Sequence, residues 1–109
     1  MPAIEVSRFY PATRDETFHA LMWAVQELAK YKTCDPFSGS VVFATRSGLW
    51  DSGANMQASV RPDGDGVIVR LEGQAKFRTQ INANNAAHEK CVEILNLTGQ
   101  IIQRDRHNA

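Results

Sequence analysis

The most reactive side chains in the chain are those of His88 and Cys91, three positions apart in a segment predicted to be helical. Such a pair can share one face of a helix, and both residue types bind Zn²⁺. A metal site needs two further ligands, and the remaining candidates show no recognisable partner spacing: Cys34, His19 and His107. We therefore expect no bound metal.

The same pair could form a nucleophile and its base only if the Cys91 thiol were exposed and its pKa lowered. Cys91 instead falls in the apolar stripe of the predicted helix. It also lies about two turns inside that helix, beyond the range of the helix dipole. A buried structural thiol is the better interpretation of Cys91, and His88 is expected on the surface.

Acidic residues offer no catalytic pair either. Glu16 and His19 are one helical turn apart, but a capping box already accounts for Glu16. Asp63 and Asp65 are close because they share a turn, and no helix follows their neighbouring glycines to complete a phosphate cradle. The sequence predicts no catalytic residue and no cofactor, so we expect a protein that is not an enzyme.

Trp50 lies in a connection with a glycine near each end, close to Arg46 and Asp51. A tryptophan in this position could close the mouth of a crevice or lie on a surface that contacts a partner. The alternative is that it folds over the end of the hydrophobic core. The sequence leaves both interpretations open.

The charge balance argues against a nucleic acid partner. Twelve Lys and Arg residues match twelve Asp and Glu residues in 109, which gives zero formal net charge and an isoelectric point near 6.8. Proteins that bind nucleic acid phosphates normally carry a basic excess. A surface without net charge also repels its own copies weakly, so a homodimer is an expected possibility.

The chain shows no basic region followed by an apolar run at its start, and no apolar stretch approaches the roughly 20 residues of a membrane span. We therefore expect no membrane association and a cytoplasmic location. In that compartment Cys34 and Cys91 are expected to be reduced thiols.

The first part of the chain predicts a strand and a helix. Residues 4–10 are rich in β-forming side chains, and Pro11 ends that strand. Thr13 and Glu16 have the spacing of a capping box, which predicts a helix that runs to about Lys30. Its apolar residues recur three and four positions apart: Phe18, Leu21, Met22, Val25, Leu28 and Ala29.

The middle of the chain predicts three or four strands. Residues 31–34, 41–45, 55–61 and 67–73 have β patterns, and the alternation of the last could continue to Thr79. Residues 62–66 form the clearest hairpin turn. N-cap candidates at 82–85 precede a second predicted helix, whose apolar stripe contains Ala87, Cys91, Val92, Leu95, Thr98, Ile101 and Ile102. The polar residues from Gln103 onward are expected to fray.

These elements define the expected fold class, which is α+β with the order β-α-β(3-4)-α. The short turns favour an antiparallel sheet, and one apolar face per strand predicts that both helices pack on the same side. We expect a single domain over residues 3–103 and a polar tail at 104–109.

This order resembles the TATA-binding-protein-like arrangement, of which the START-related helix-grip domains are larger relatives. It also resembles a group of small bacterial domains of unassigned function. The marks that carry the resemblance are the capped first helix, the strand at Val41-Val42-Phe43, the Gly48-Leu49-Trp50 connection and the later strand pair with its glycine-rich turn. The resemblance implies a ligand crevice between the helices and the sheet.

The polar face of the sheet is a second candidate site. It is expected to carry Arg46, Asn55, Gln57, Ser59, Arg70, Glu72, Gln74 and Lys76. This face is either simply solvated or serves as an interaction surface, with Arg46, Gln57, Arg70 and Glu72 as the contact residues. Its mixed charge and few aromatic residues argue against a nucleic acid saddle.

Three hypotheses about function follow. The first is a non-catalytic binding or protein-interaction domain that uses the crevice or the open sheet face and could form a homodimer. The second, in the helix-grip manner, is a binder of a small apolar ligand with a pocket formed by Leu21, Val25, Trp50, Leu71 and Leu95. The third is an enzyme built on His88 and Cys91, or on a cleft that the sequence does not reveal.

Overall fold

The computed structural model describes residues 4–45, 53–75 and 83–107. In chain order the elements are β1 (Ile4–Tyr10), α1 (Arg14–Leu28), β2 (Lys30–Asp35), β3 (Ser40–Ala44), β4 (Ala54–Asp63), β5 (Gly66–Ala75) and α2 (Ala83–His107). This is the predicted order, with four strands between the helices.

The five strands form one sheet in the order β1-β5-β4-β3-β2, and every neighbouring pair is antiparallel. Strands β2 to β5 are a meander, and β1 pairs with β5 at the far edge. The two edge strands are therefore β1 and β2. The prediction of an antiparallel meander is confirmed.

The β4–β5 hairpin turns at Gly64 and Asp65, as the sequence predicts. Its ladder runs from the Ala54–Ala75 pair to the Asp63–Gly66 pair. Gly64 has a φ of 58°, a left-handed conformation that costs glycine little and suits the first central position of a tight hairpin turn. The possible extension of β5 to Thr79 lies outside the described residues.

The capping box of α1 is confirmed. The Thr13 hydroxyl accepts a hydrogen bond from the Glu16 amide at 3.1 Å, and the Glu16 carboxylate accepts one from the Thr13 amide at 3.3 Å. The helix ends at Leu28, slightly before the predicted end at Lys30, because Lys30 already belongs to β2.

The two helices contact each other, and both contact β4 and β5, so they cover the same face of the sheet. The core lies between them and that face. On β4 the burial alternates, with Met56, Ala58 and Val60 buried beneath the helices and Gln57 exposed on the other face. The prediction of two helices on one side of the sheet is confirmed.

Helix α2 extends to His107, whereas the sequence predicts fraying from Gln103 onward, and the fraying itself stays a prediction. A long-range contact that sequence periodicity does not reveal holds this last turn. The Arg106 guanidinium donates to the Pro11 carbonyl at 2.5 Å and to the Glu16 carboxylate at 3.2 Å, which ties the last turn of α2 to the start of α1. Among the described residues no helix is long and apolar enough to span a membrane.

Candidate functional site

A cleft of about 420 Å³ lies between the end of β1 and the second half of α2. Its lining residues on α2 recur at helical spacing along two adjoining rows, and β1 contributes the opposite wall. The lining consists of Arg8, Tyr10, Pro11, Leu95, Asn96, Gly99, Gln100, Ile102, Gln103 and Arg106.

The alternation of β1 brings Arg8 and Tyr10 into the cleft. Ile4 and Tyr10 are buried and Val6 and Arg8 are partly buried, whereas the intervening residues are exposed. Residues at this two-residue period lie on one face of a strand, here the face that the helices cover. Because β1 is an edge strand, the cleft opens at the border of the sheet.

Tyr10, Leu95 and Ile102 give the cleft an apolar floor. The Tyr10 hydroxyl donates a hydrogen bond to the Leu95 carbonyl at 2.5 Å. Its ring packs against Gly99, where an added Cβ would lie 3.3 Å from the ring. Burial raises the pKa of Tyr10 to about 12, although the nearby Arg8 charge opposes the rise.

Arg8 supplies a charged group beside Tyr10. Its Nη1 donates to the Asn96 side-chain oxygen at 2.6 Å, across 88 residues of sequence. In the part of the chain that the structure describes, Arg8 forms no ion pair with a carboxylate. Arg8 is thus a cation at the edge of the cleft, beside the uncharged side chains of Asn96 and Tyr10.

The charge of Arg106, at the other end of the cleft, is already paired with a carboxylate. Arg106 contacts both carboxylate oxygens of Glu16, at 3.2 and 3.4 Å. These hydrogen bonds hold the pKa of Glu16 below its ordinary value, with the capping contact to Thr13 acting in the same direction. Arg106 therefore lines the end of the cleft with a guanidinium whose charge is already paired with the Glu16 carboxylate.

A second cavity of about 300 Å³ lies between α1 and β2. Its lining is Arg14, Asp15, Phe18, His19, Met22, Cys34 and Pro36. Arg14 donates to the Pro36 and Phe37 carbonyls at 2.6 and 2.8 Å, so its guanidinium holds the β2–β3 turn. This cavity is shallower and has a largely structural cation, so it is the weaker candidate.

The predicted ligand-contact residues are distributed differently from the sequence hypothesis. Leu95 lines the cleft between β1 and α2, although its side chain is fully buried. Leu21, Val25 and Leu71 are equally buried and line neither of the two cavities described above. Trp50 lies outside the described residues. The proposed role of these residues in ligand binding stays a prediction.

The predicted interaction surface lies on the open face of the sheet. Gln57 and Arg70 are exposed there and Glu72 is partly exposed. Arg70 forms ion pairs with Glu5 at 3.0 Å and with Glu72 at 3.2 Å, so its charge is satisfied within the chain. Arg46 lies outside the described residues. Whether this face contacts another protein stays a prediction.

His88 and Cys91 lie at different depths on α2. His88 is exposed, whereas Cys91 is fully buried. Burial raises the pKa of the Cys91 thiol to about 11, which keeps it protonated at neutral pH. Among the described residues no three His, Cys, Asp or Glu side chains group closely enough to hold a metal ion.

Sequence reasoning missed Arg8, Tyr10 and Asn96 as site residues. One signal was present, because Arg8 falls in the same alternating row as Ile4 and Val6. A charged residue in the apolar row of a strand is unusual and marks a polar site at the edge of the core. No comparable signal identified Asn96, because its role depends on where α2 crosses β1.

No protein-family model matches the chain, and no curated protein matches it in sequence. Solved structures match it closely in fold. A protein from Mesorhizobium loti has a TM-score of 0.71 at 12% identity, over 93% of this chain and 96% of that protein. A START superfamily protein from Mycobacterium smegmatis has a TM-score of 0.62 at 11% identity, over 93% and 97% of the two chains.

The Zhui aromatase/cyclase from a Streptomyces species is also similar, with a TM-score of 0.57 at 8% identity over 93% of each chain. The chain therefore has the helix-grip fold of START-like proteins, in a form with five described strands and two helices. The resemblance in sequence order is confirmed at the level of fold. Identities this low carry no residue-level role from one protein to another.

Proposed function

We propose that the chain is a non-catalytic domain that binds a small, largely apolar molecule in the cleft between β1 and α2. The observation that carries the proposal is the cleft itself, with its apolar floor of Tyr10, Leu95 and Ile102 and its polar rim. Its volume of about 420 Å³ falls within the ordinary range of small-molecule sites. Transfer of an apolar ligand surface from water into such a cleft is favourable.

The fold supports this proposal over the other hypotheses. Its structural neighbours include a START superfamily protein and proteins named as aromatase/cyclases. Binding without catalysis is supported by Cys91, the one thiol that sequence spacing pairs with a histidine, because that thiol is buried and protonated. The cleft lining itself contains no Cys, His, Asp or Glu side chain.

The experiment is a titration with the neutral fluorescent probe N-phenyl-1-naphthylamine, excited directly so that tryptophan does not contribute. The wild-type protein should enhance the probe emission saturably. Gln100→Trp places a large ring in the cleft from an exposed helix position and should weaken probe binding at least about ten-fold.

Gln26→Trp is the matched control, because Gln26 is also exposed and helical but lines neither described cavity. It should bind the probe as the wild type does. A wild type that binds no apolar probe, or equal binding by both variants, would refute the proposed site.

Self-association is the second candidate function. It is favoured by the exposed edge strand β2, whose residues 30–33 are all exposed, and by Phe37 in the following turn, which is 96% exposed. Exposed edge strands pair readily with other chains. Light scattering over a dilution series should then show a dimer that Phe37→Asp dissociates, and a monomer at every concentration would exclude it.

A further inference from the structure

We propose that the cleft selects apolar ligands that carry a carboxylate, and that Arg8 binds this group. The inference rests on the proposed function, because it names the ligand class of the same cleft. The lining of the cleft includes two arginines and no acidic residue. A ligand with a cationic end would meet only positive charge there.

The two arginines are not equivalent. Arg106 contacts the Glu16 carboxylate and the Pro11 carbonyl, so its charge is balanced and its donors are engaged. Arg8 donates to the neutral Asn96 oxygen. It also lies beside the Tyr10 hydroxyl, where its charge and hydrogen bond lower the pKa of Tyr10 against the effect of burial. A guanidinium has five N–H donors, so Arg8 can keep these two uncharged partners and still present N–H groups to a carboxylate.

The environment of Arg8 strengthens its attraction for an anion. Arg8 is partly buried on the helix-covered face of β1, with Tyr10 and Leu95 beside it. Charges attract more strongly where water is partly excluded. The Tyr10 hydroxyl does not donate to the ligand anion, because its proton is already directed to the Leu95 carbonyl.

The arrangement therefore recognises both ends of one kind of molecule. The apolar body lies on Tyr10, Leu95 and Ile102, and the carboxylate meets Arg8 at the rim. Asn96 presents its oxygen to Arg8, and its amide N–H groups have no acceptor in the described part of the chain. They can donate to the same carboxylate, which makes small aromatic and aliphatic acids the ligand class.

The test compares 2-naphthoic acid with 2-naphthamide, a neutral analogue of nearly the same shape, by displacement of the neutral probe at pH 7. The wild type should bind the acid more tightly, by roughly ten-fold to a hundred-fold, the range of a charge-assisted hydrogen bond. The preference should weaken at high salt, because exposed charge interactions are screened.

Arg8→Met keeps the apolar stem and removes the charge, so it should bind acid and amide equally. Arg8→Lys should retain part of the preference. Arg61→Met is the matched control, since Arg61 is exposed and lies outside the cleft, and it should behave as the wild type. Circular dichroism confirms that each variant folds, and the comparison in the wild type needs no variant.

The outcomes separate this inference from the proposed function. If the wild type binds acid and amide equally and Gln100→Trp weakens both, the ligand class is wrong and the binding site stands. If the preference for the acid survives Arg8→Met, the role of Arg8 is wrong. If the probe binds but neither compound displaces it, the ligand class is wrong and the binding site stands. If the probe itself does not bind, both proposals fail together.

Discussion

The hydrogen bond from Tyr10 to Leu95 allows a quantitative prediction. Tyr10→Phe removes the hydroxyl that donates to the Leu95 carbonyl but keeps the ring against Gly99. The carbonyl belongs to the interior of α2 and retains its helical hydrogen bond, so no polar group is orphaned. The expected loss in the free energy of unfolding is about 1 kcal/mol, the net contribution of one ordinary hydrogen bond.

This loss is measurable as a change in melting temperature. A chain of 109 residues unfolds with an entropy of about 0.23 kcal/mol per kelvin, so ~1 kcal/mol lowers the midpoint by roughly 4 °C. Thermal and urea unfolding followed by circular dichroism give the midpoint and the free energy. Tyr31→Phe is the control, because Tyr31 is 37% exposed and its change should stay within about 0.5 kcal/mol.

The pH dependence supplies an independent check. Burial raises the pKa of Tyr10 to about 12 from an ordinary value of 10.0. The unfolded chain therefore ionises first, and the wild type loses stability as the pH rises between these two values. At pH 11 that loss is about 1.4 kcal/mol and is absent from Tyr10→Phe, so the variant should match or exceed the wild type.

Two results would refute this reasoning. A loss above about 3 kcal/mol at pH 7 would mean that the Leu95 carbonyl is left without any partner. A stability difference that stays constant from pH 9 to pH 11 would mean that Tyr10 is not buried as described.

Three further predictions concern other contacts. Burial raises the thiol pKa of Cys91 to about 11, so the wild type should lose stability above pH 9, where the unfolded chain ionises first. Between pH 7 and pH 10 its free energy of unfolding, measured with urea, should fall by about 1.4 kcal/mol more than that of Cys91→Ala, which lacks the thiol. Arg106→Met should release the last turn of α2, seen as faster amide hydrogen exchange over residues 103–107. Arg104→Met should not, since Arg104 pairs only with its neighbour Asp105 among the described residues. Gly73→Ala should destabilise the sheet by more than about 1 kcal/mol, seen as a lower midpoint of urea unfolding, because its Cβ would collide with the Asn55 carbonyl.

Several elements were predictable because their causes are local. A capping box needs only Thr13 and Glu16 three residues apart, and the hairpin needs only its glycine-containing turn. The alternation on β4 and β5 depends on the two-residue period of a strand. Packing the resulting apolar faces together leaves few arrangements, and the predicted one, two helices over an antiparallel sheet, is confirmed.

The candidate site was less predictable, because the cleft is formed by contacts between residues that are distant in sequence. The sequence hypothesis placed five residues around a pocket. Of these, Leu95 lines the cleft between β1 and α2, Leu21, Val25 and Leu71 are buried in the core, and Trp50 lies outside the described residues. Their role in ligand binding stays a prediction. Side chains that complete a core are the ones periodicity finds best, whereas a cleft forms where the packing stops.

The sequence by itself determined the elements, the capping box of α1, the turn between β4 and β5, and the face that each element buries, because these follow from residues two to four positions apart. The tertiary structure alone decided that the end of β1 meets the second half of α2, where Arg8 contacts Asn96 and Tyr10 contacts Leu95 across 88 and 85 residues. The tertiary structure also decided that the charge of Arg106 is paired with the Glu16 carboxylate. Such contacts depend on how whole elements cross, and no local spacing encodes that crossing.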